Sequence, residues 1–253
     1  MTLRSTESQF NRAAESLEVK GAAGELVWKL ALDLLNDVPP GRLLEVAAGG
    51  GFLATQLVKA GFEVTGSDLA DQWRFPEIPF VLADLDEPLP FADESFDVAV
   101  FSEGLGYVEN TNAVLRELHR VLKPGGAVVI TMPNVFSLQS RLKFLLNGTF
   151  RWFPHPPYSG ESKAELTDVY RDPTRLTTLN FNLQRSGFEI ERVQFGGESV
   201  LRILTPVGWG LRSITLIENR FRKKKRVPAL VNSFSALHSA NVGVLARKIG
   251  SSK

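Results

Sequence analysis

Leu43-Leu44-Glu45-Val46-Ala47-Ala48-Gly49-Gly50-Gly51-Phe52 reads as an apolar strand that ends on a carboxylate, turns through small residues and enters a helix over 50–60. No side chain between 47 and 51 exceeds a methyl group, so a nucleotide-bearing ligand can lie almost against the backbone. Asp68 follows about twenty residues later, at the end of a second strand over 62–67, where a carboxylate is placed to accept both hydroxyls of a ribose. The two features together predict an adenosine-type cofactor and leave its chemistry open.

Outward from this turn, strands and helices alternate. After the strand at 42–47, the helix at 50–60 and the strand at 62–67, further strands are predicted at 80–83 and 96–101, a helix at 111–122 and a strand at 127–132. Short apolar strands separated by helices mean a parallel sheet covered on both faces. The link from Asp68 to Phe80 contains Pro76 and Pro79 and is too short for a full helix, so it should be abbreviated. Upstream, helical spacing is seen over 7–19 and 22–36, and Pro39-Pro40-Gly41 stops the second helix. Past Pro133 the pattern loosens. Residues 135–147 look helical, 148–172 read as a loop rich in proline and aromatics, and 173–186 and 188–195 restore helix and strand. A last strand is expected around 236–247, with 198–232 inserted before it.

At 253 residues the chain is expected to form a single domain. Its parts would be an N-terminal helical segment (1–37), a cofactor-binding core (38–133), a substrate-side segment (134–172) and an amphipathic, basic insertion (198–232). An apolar fraction of 43% suits a substantial core. A net charge of +1 argues against general nucleic-acid binding, which needs a large positive balance. With no cysteine, thiolate metal sites and thiol nucleophiles are excluded. The polar N-terminus lacks a secretory h-region, and no run of roughly 18 charge-free apolar residues is present. The cytoplasm is the expected location.

Three segments carry a family resemblance: Leu44 to Gly51 with Asp68; Ala83-Asp84-Leu85 running into Leu89-Pro90-Phe91 and on to Val98; and Leu115 through Leu122 to Lys123-Pro124-Gly125-Gly126. In this order and spacing they resemble the class I S-adenosylmethionine-dependent methyltransferases, in the small-molecule, type 11-like branch. The likeness is close over 38–133 and looser over 173–195. It implies an α/β, Rossmann-like, doubly wound and mostly parallel seven-stranded sheet, with helices on both faces and an antiparallel last strand. It also implies S-adenosylmethionine as cofactor, a small-molecule acceptor, and a cofactor site at Glu45, Ala47, Ala48, Gly49, Gly51, Asp68, Leu69, Asp84, Leu85 and Ser102. Within that set Asp84 would accept from the adenine amino group, Leu69 would pack on the ring, and Glu45 would order the turn's amides and hold the amine end. Two departures stand out. Ala47 replaces the first glycine of the turn, which fits if the residue avoids positive φ. Gly106-Tyr107 stands where many relatives carry a glutamate-histidine pair, so no metal is expected.

Read alone, Gly49-Gly50-Gly51-Phe52-Leu53-Ala54 also fits the nicotinamide dinucleotide turn, with Asp68 for the ribose. An NAD(P)-dependent oxidoreductase is thus the rival reading, but it leaves Asp84 and the 90–98 segment unexplained. A non-catalytic S-adenosylmethionine-binding protein stays open as well. The catalytic candidates are weak ones: His155 in the aromatic loop, and Glu103 and Tyr107 just beyond the fourth strand. His119 reads as a surface or capping histidine and Asn134 as a helix cap. Aromatics at 148–172 suggest an apolar or planar acceptor, lipid- or saccharide-linked molecules included. The apolar stretch from 200 and the basic run at 220–226 read foremost as a solvated helix end, with peripheral contact to an anionic membrane through 200–226 as a second reading.

Overall fold

A computed structural model describes residues 21–153, 173–198 and 233–250. The predicted helix at 7–19, most of the 148–172 loop and nearly all of the 198–232 insertion lie outside those residues. Helix α1 (Gly21–Leu35) leads into strand β1 (Arg42–Val46), helix α2 (Phe52–Lys59), β2 (Glu63–Asp68), β3 (Phe80–Leu82) and β4 (Phe96–Ser102). Then come α3 (Thr111–Val121), β5 (Leu122–Pro133), α4 (Leu138–Asn147), α5 (Leu176–Arg185), β6 (Phe188–Glu198), the short α6 (Phe234–His238) and β7 (Ser239–Lys248). The seven strands form one sheet in the order β3-β2-β1-β4-β5-β7-β6. The first five strands run parallel, and β7 lies antiparallel between β5 and β6. The chain starts mid-sheet, winds outward to β3, then returns past β1 to β4. Strand order therefore reverses between β1 and β4, and a crevice opens at their C-terminal ends.

Period-two alternation divides the core between the faces. Leu44 and Val46 of β1 join Val114, Leu115 and Leu118 of α3 and Leu179 and Leu183 of α5. Leu43 faces the other way, onto Leu34 of α1 and Leu53 and Leu57 of α2. By this alternation Glu45 shares Leu43's face. A carboxylate thus stands where the next core side chain is due.

The link between β2 and β3 contains no helix, and Trp73 fills the space. Its indole N–H donates to the carbonyls of Phe75 (2.8 Å) and Ile78 (3.1 Å), and its ring stacks on Phe80 at 4.9 Å. Trp73 lies so close over Gly66 that any Cβ there would collide with the ring. Arg120 of α3 fixes the 89–96 segment: its guanidinium donates to the carbonyls of Leu89 (2.9 Å) and Phe91 (2.8 Å) and pairs with Glu117 and Asp93. That part of the family likeness is accounted for by structure rather than chemistry.

Several sequence expectations shift. Leu122 already pairs with Phe96, but Ala127 is the next to pair, with Val98. Lys123 to Gly126 thus bulge out of a strand that begins five residues early. Helix α4 starts at 138 rather than 135, capped by Ser137, whose oxygen accepts the Ser140 amide. Asn134 is no helix cap. It is buried, its amide donates to Ala236 O, Ser239 O and Ser239 Oγ, and its Oδ1 accepts the Phe136 amide. It fastens the end of β5 to the α6–β7 corner. His119 is neither a surface nor a capping residue: it is half-buried, edge-on to Phe188 at 5.3 Å and pressed beneath Gly187.

Candidate active site

The turn after β1 is built around left-handed backbone. Gly49 has φ 54° and Gly51 φ 83°, and Gly51 caps the start of α2. Ala47 has φ 53° as well, which corrects the expectation that alanine serves here by avoiding positive φ. For an L-residue this conformation costs about 1–2 kcal/mol. Packing holds it in place, because a Cβ at Gly104 would lie 2.8 Å from the Ala47 methyl. Glu103, across the crevice, is a second left-handed non-glycine, with φ 55°. Strain concentrated in this way is typical of functional sites.

Gly104→Ala is accordingly expected to be disruptive, since its methyl would strike both the Phe101 ring and Ala47. Overpacking of this kind costs about 1–3 kcal/mol. Thermal unfolding should move down by several degrees, with weakened cofactor binding because the turn is displaced. A variant as stable as the parent, with unchanged binding, would count against the close-packed crevice.

Asp68, rather than Glu45, organises the amides of the turn. Its Oδ2 accepts the Gly49 amide (2.8 Å) and its Oδ1 accepts the Ala70 amide (3.1 Å). Each oxygen keeps a further lone pair for a ribose hydroxyl. Glu45 is 2% exposed and is approached by the amide of Ala54 in the first turn of α2. Its Oε2 has no hydrogen-bond partner among the described residues. Burial first, then the charge of Asp68, pushes its carboxyl from 4.5 up to about 8. A buried polar oxygen without a partner costs about 1–3 kcal/mol, so this carboxylate is built to receive something.

A cavity of about 600 Å³ opens here. Glu45, Ala47, Ala48, Gly50, Ser102 and Glu103 line it from the sheet ends, and Val27, Trp28 and Phe52 from the helices. Trp28 and Phe52 stack with centroids 6.0 Å apart. Arg151, Trp152 and Asn241 close the far side. Ser102 Oγ and Thr131 Oγ1 share a 2.9 Å hydrogen bond, and the Asn241 amide donates to Glu103 Oε1 at 3.1 Å. Burial raises the Glu103 carboxyl from 4.5 to about 7, against the opposing bonds from Asn241 and Thr131.

The remaining expected residues fall outside this cavity. Leu69 is 52% exposed beyond β2, Leu85 is half-buried, and Asp84 accepts the Asp86 amide at 2.9 Å. They lie at the C-terminal ends of β2 and β3. Tyr107 sits in the loop after β4, 37% exposed, and does not line the cavity. His155 lies outside the described residues. Trp28, Phe52, Arg151 and Asn241 were not foreseen as lining residues, whereas Trp152 comes from the aromatic loop expected on the acceptor side. Trp28 and Phe52 sit within helical patterns that signal only packing. Asn241 is 138 positions from Glu103, so no local spacing could join them.

Strand order, turn and carboxylates define the class I S-adenosylmethionine-dependent methyltransferase fold. Residues 44–130 match a family described as "Methyltransferase domain". The chain is 39% identical to a demethylmenaquinone methyltransferase of Streptomyces griseus over 111 residues, 41% of this chain and 48% of that one. It is 32% identical to a malonyl-[acyl-carrier protein] O-methyltransferase of Pseudescherichia vulneris over 134 residues, 51% and 53% of the two chains. The chain thus spans about half the length of the curated relatives it matches. A SAM-dependent methyltransferase from Archaeoglobus fulgidus superposes with a TM-score of 0.60 at 17% identity, covering 92% of this chain and 97% of that one. Among the described residues no helix is long and apolar enough to cross a membrane.

Proposed function

We propose that the protein is an S-adenosylmethionine-dependent methyltransferase acting on a small apolar or planar acceptor, with Glu103 taking the acceptor's proton. The observation that carries this reading is the pair of desolvated carboxylates on one cavity, one with an unpartnered oxygen and one held by an amide. Glu45 Oε2 suits an ammonium group such as the amine end of the cofactor. Asp68 is placed for the ribose, and Asp84, Leu69 and Leu85 for the adenine. When bound, S-adenosylmethionine would supply a sulfonium methyl that passes to a nucleophile as the carbon–sulfur bond breaks and S-adenosylhomocysteine leaves.

The chain's own residues then have two tasks. Trp28, Phe52 and Trp152 exclude water and orient the acceptor, and positioning of that kind is worth up to about 7–11 kcal/mol of barrier. Glu103 accepts the proton from the acceptor's O–H, N–H or C–H as the new bond to carbon forms. A carboxyl poised near 7 is well matched to that role at neutral pH. The names of the relatives, a demethylmenaquinone and a malonyl-[acyl-carrier protein] methyltransferase, support an acceptor with a large apolar part.

Thermal unfolding tests the cofactor. At about 100 times its dissociation constant, S-adenosylmethionine should add ~2.7 kcal/mol, or roughly 5–10 °C for a domain of this size. NADH should add nothing. The reverse result would establish the nicotinamide reading, and binding without methyl transfer to any acceptor offered would point to a non-catalytic binding protein.

A further inference from the structure

Leu142, Leu145 and Leu146 occupy i, i+3 and i+4 of α4, a single helical face, and they are 38%, 80% and 76% exposed. Turning three leucines to water runs against the hydrophobic effect, and contiguous exposed apolar surface marks a contact site. Phe144, half exposed, stacks on Phe150 at 4.7 Å and ties α4 to the turn that follows it. In that turn Trp152 is 48% exposed, with the Arg151 guanidinium 4.9 Å over its ring.

Charge narrows the choice of partner. Between Glu117 and Glu161 the sequence contains no aspartate or glutamate, while Lys143 and Arg151 fall in and beside α4. The Lys143 amine donates to the carbonyl of Phe150 (3.2 Å), and Arg151 to the side-chain oxygen of Gln139 (2.6 Å). Both cations are held by neutral oxygens and keep their charge for a partner. Leucines, an exposed tryptophan and two cations held by neutral oxygens suit an anionic lipid surface, where a helix lies with its apolar face about 5–10 Å into the headgroup region.

We propose that α4 and the adjoining 148–153 turn dock the protein on an anionic phospholipid bilayer. Arg151 and Trp152 belong both to this surface and to the cavity lining, so the docked face borders the cavity mouth. A lipid-linked acceptor would therefore enter from the bilayer without crossing water, a consequence that rests on the methyltransferase reading while the docking itself does not.

Vesicle flotation of the full chain tests the surface. Wild-type protein should float with vesicles of phosphatidylcholine and phosphatidylglycerol, less with phosphatidylcholine alone, and less at high salt. The double variant Leu145→Asp/Leu146→Asp should partition about tenfold less or lower, because two leucines leave the interface. Its thermal response to S-adenosylmethionine should match the parent's. Three results would overturn the proposal: no flotation with any vesicle, flotation equal in variant and parent, or a parent dimer on size exclusion that the variant splits. Loss of the cofactor response with intact flotation would defeat the enzyme reading alone.

Discussion

Glu45→Gln gives a protein that resists unfolding better at pH 8 and binds S-adenosylmethionine about 10- to 100-fold more weakly, the loss expected when a charge-assisted pair becomes a neutral one. The two effects have one cause. With its carboxyl raised to about 8, the folded parent holds a proton between pH 4.5 and about 8 that the unfolded chain has released. Stability from this group is full below 4.5 and is lost as pH rises toward 8. Glutamine has no ionisation to suppress, so the variant lacks that decline. At pH 8 it should gain about 1–3 kcal/mol, which is roughly 2–4 °C per kcal/mol at this size. In the parent, an ammonium ligand at Oε2 favours the carboxylate, so affinity should rise between roughly pH 6 and pH 8; the variant's affinity should be flat. Calorimetric titration at several pH values together with unfolding curves reads all of this. A variant of parental affinity would remove Glu45 from the site.

Glu103→Gln should lower kcat by about 10²–10⁴-fold and leave the dissociation constant of S-adenosylmethionine unchanged. Glutamine matches glutamate in size and keeps an oxygen for Asn241, so the loss should not come from collapse of the crevice. The pH profile separates chemistry from packing. In the parent, kcat/KM should climb through a midpoint near 7, where this buried carboxyl ionises in the free protein, and the variant should have no such limb. Glu103→Asp keeps a carboxylate on a shorter arm and should recover the limb at reduced rate. A glutamine variant that retains both the rate and the rising limb would sink the assignment.

The first half of the site was legible because it is local. A strand, a small-residue turn and a carboxylate on the next strand all lie within residues 42–68, and the covalent chain fixes their spacing. Ala47 was misjudged because its left-handed backbone is stabilised by a neighbour 57 positions on, Gly104, whose missing side chain makes the room. The amide-ordering role expected of Glu45 falls to Asp68, since which carboxylate reaches Gly49 N depends on sheet register, and no motif records that. Asn134 has the composition of a cap, yet its partners lie about a hundred positions away on the α6–β7 corner. The sheet itself was foreseen in type and strand number, because buried parallel strands leave continuous apolar runs.

Strand β7 makes the order of synthesis matter. The cofactor turn and β1 to β4 emerge first, and β5 then has one hydrogen-bonding edge unpaired until residues 239–248 arrive to lie against it. An open central edge invites pairing with other chains while translation proceeds. Asn241, the residue that steadies Glu103, belongs to that same late strand. On the proposed assignment, the nascent chain shapes the cofactor turn long before it can steady Glu103, and a partly made molecule would bind before it could catalyse.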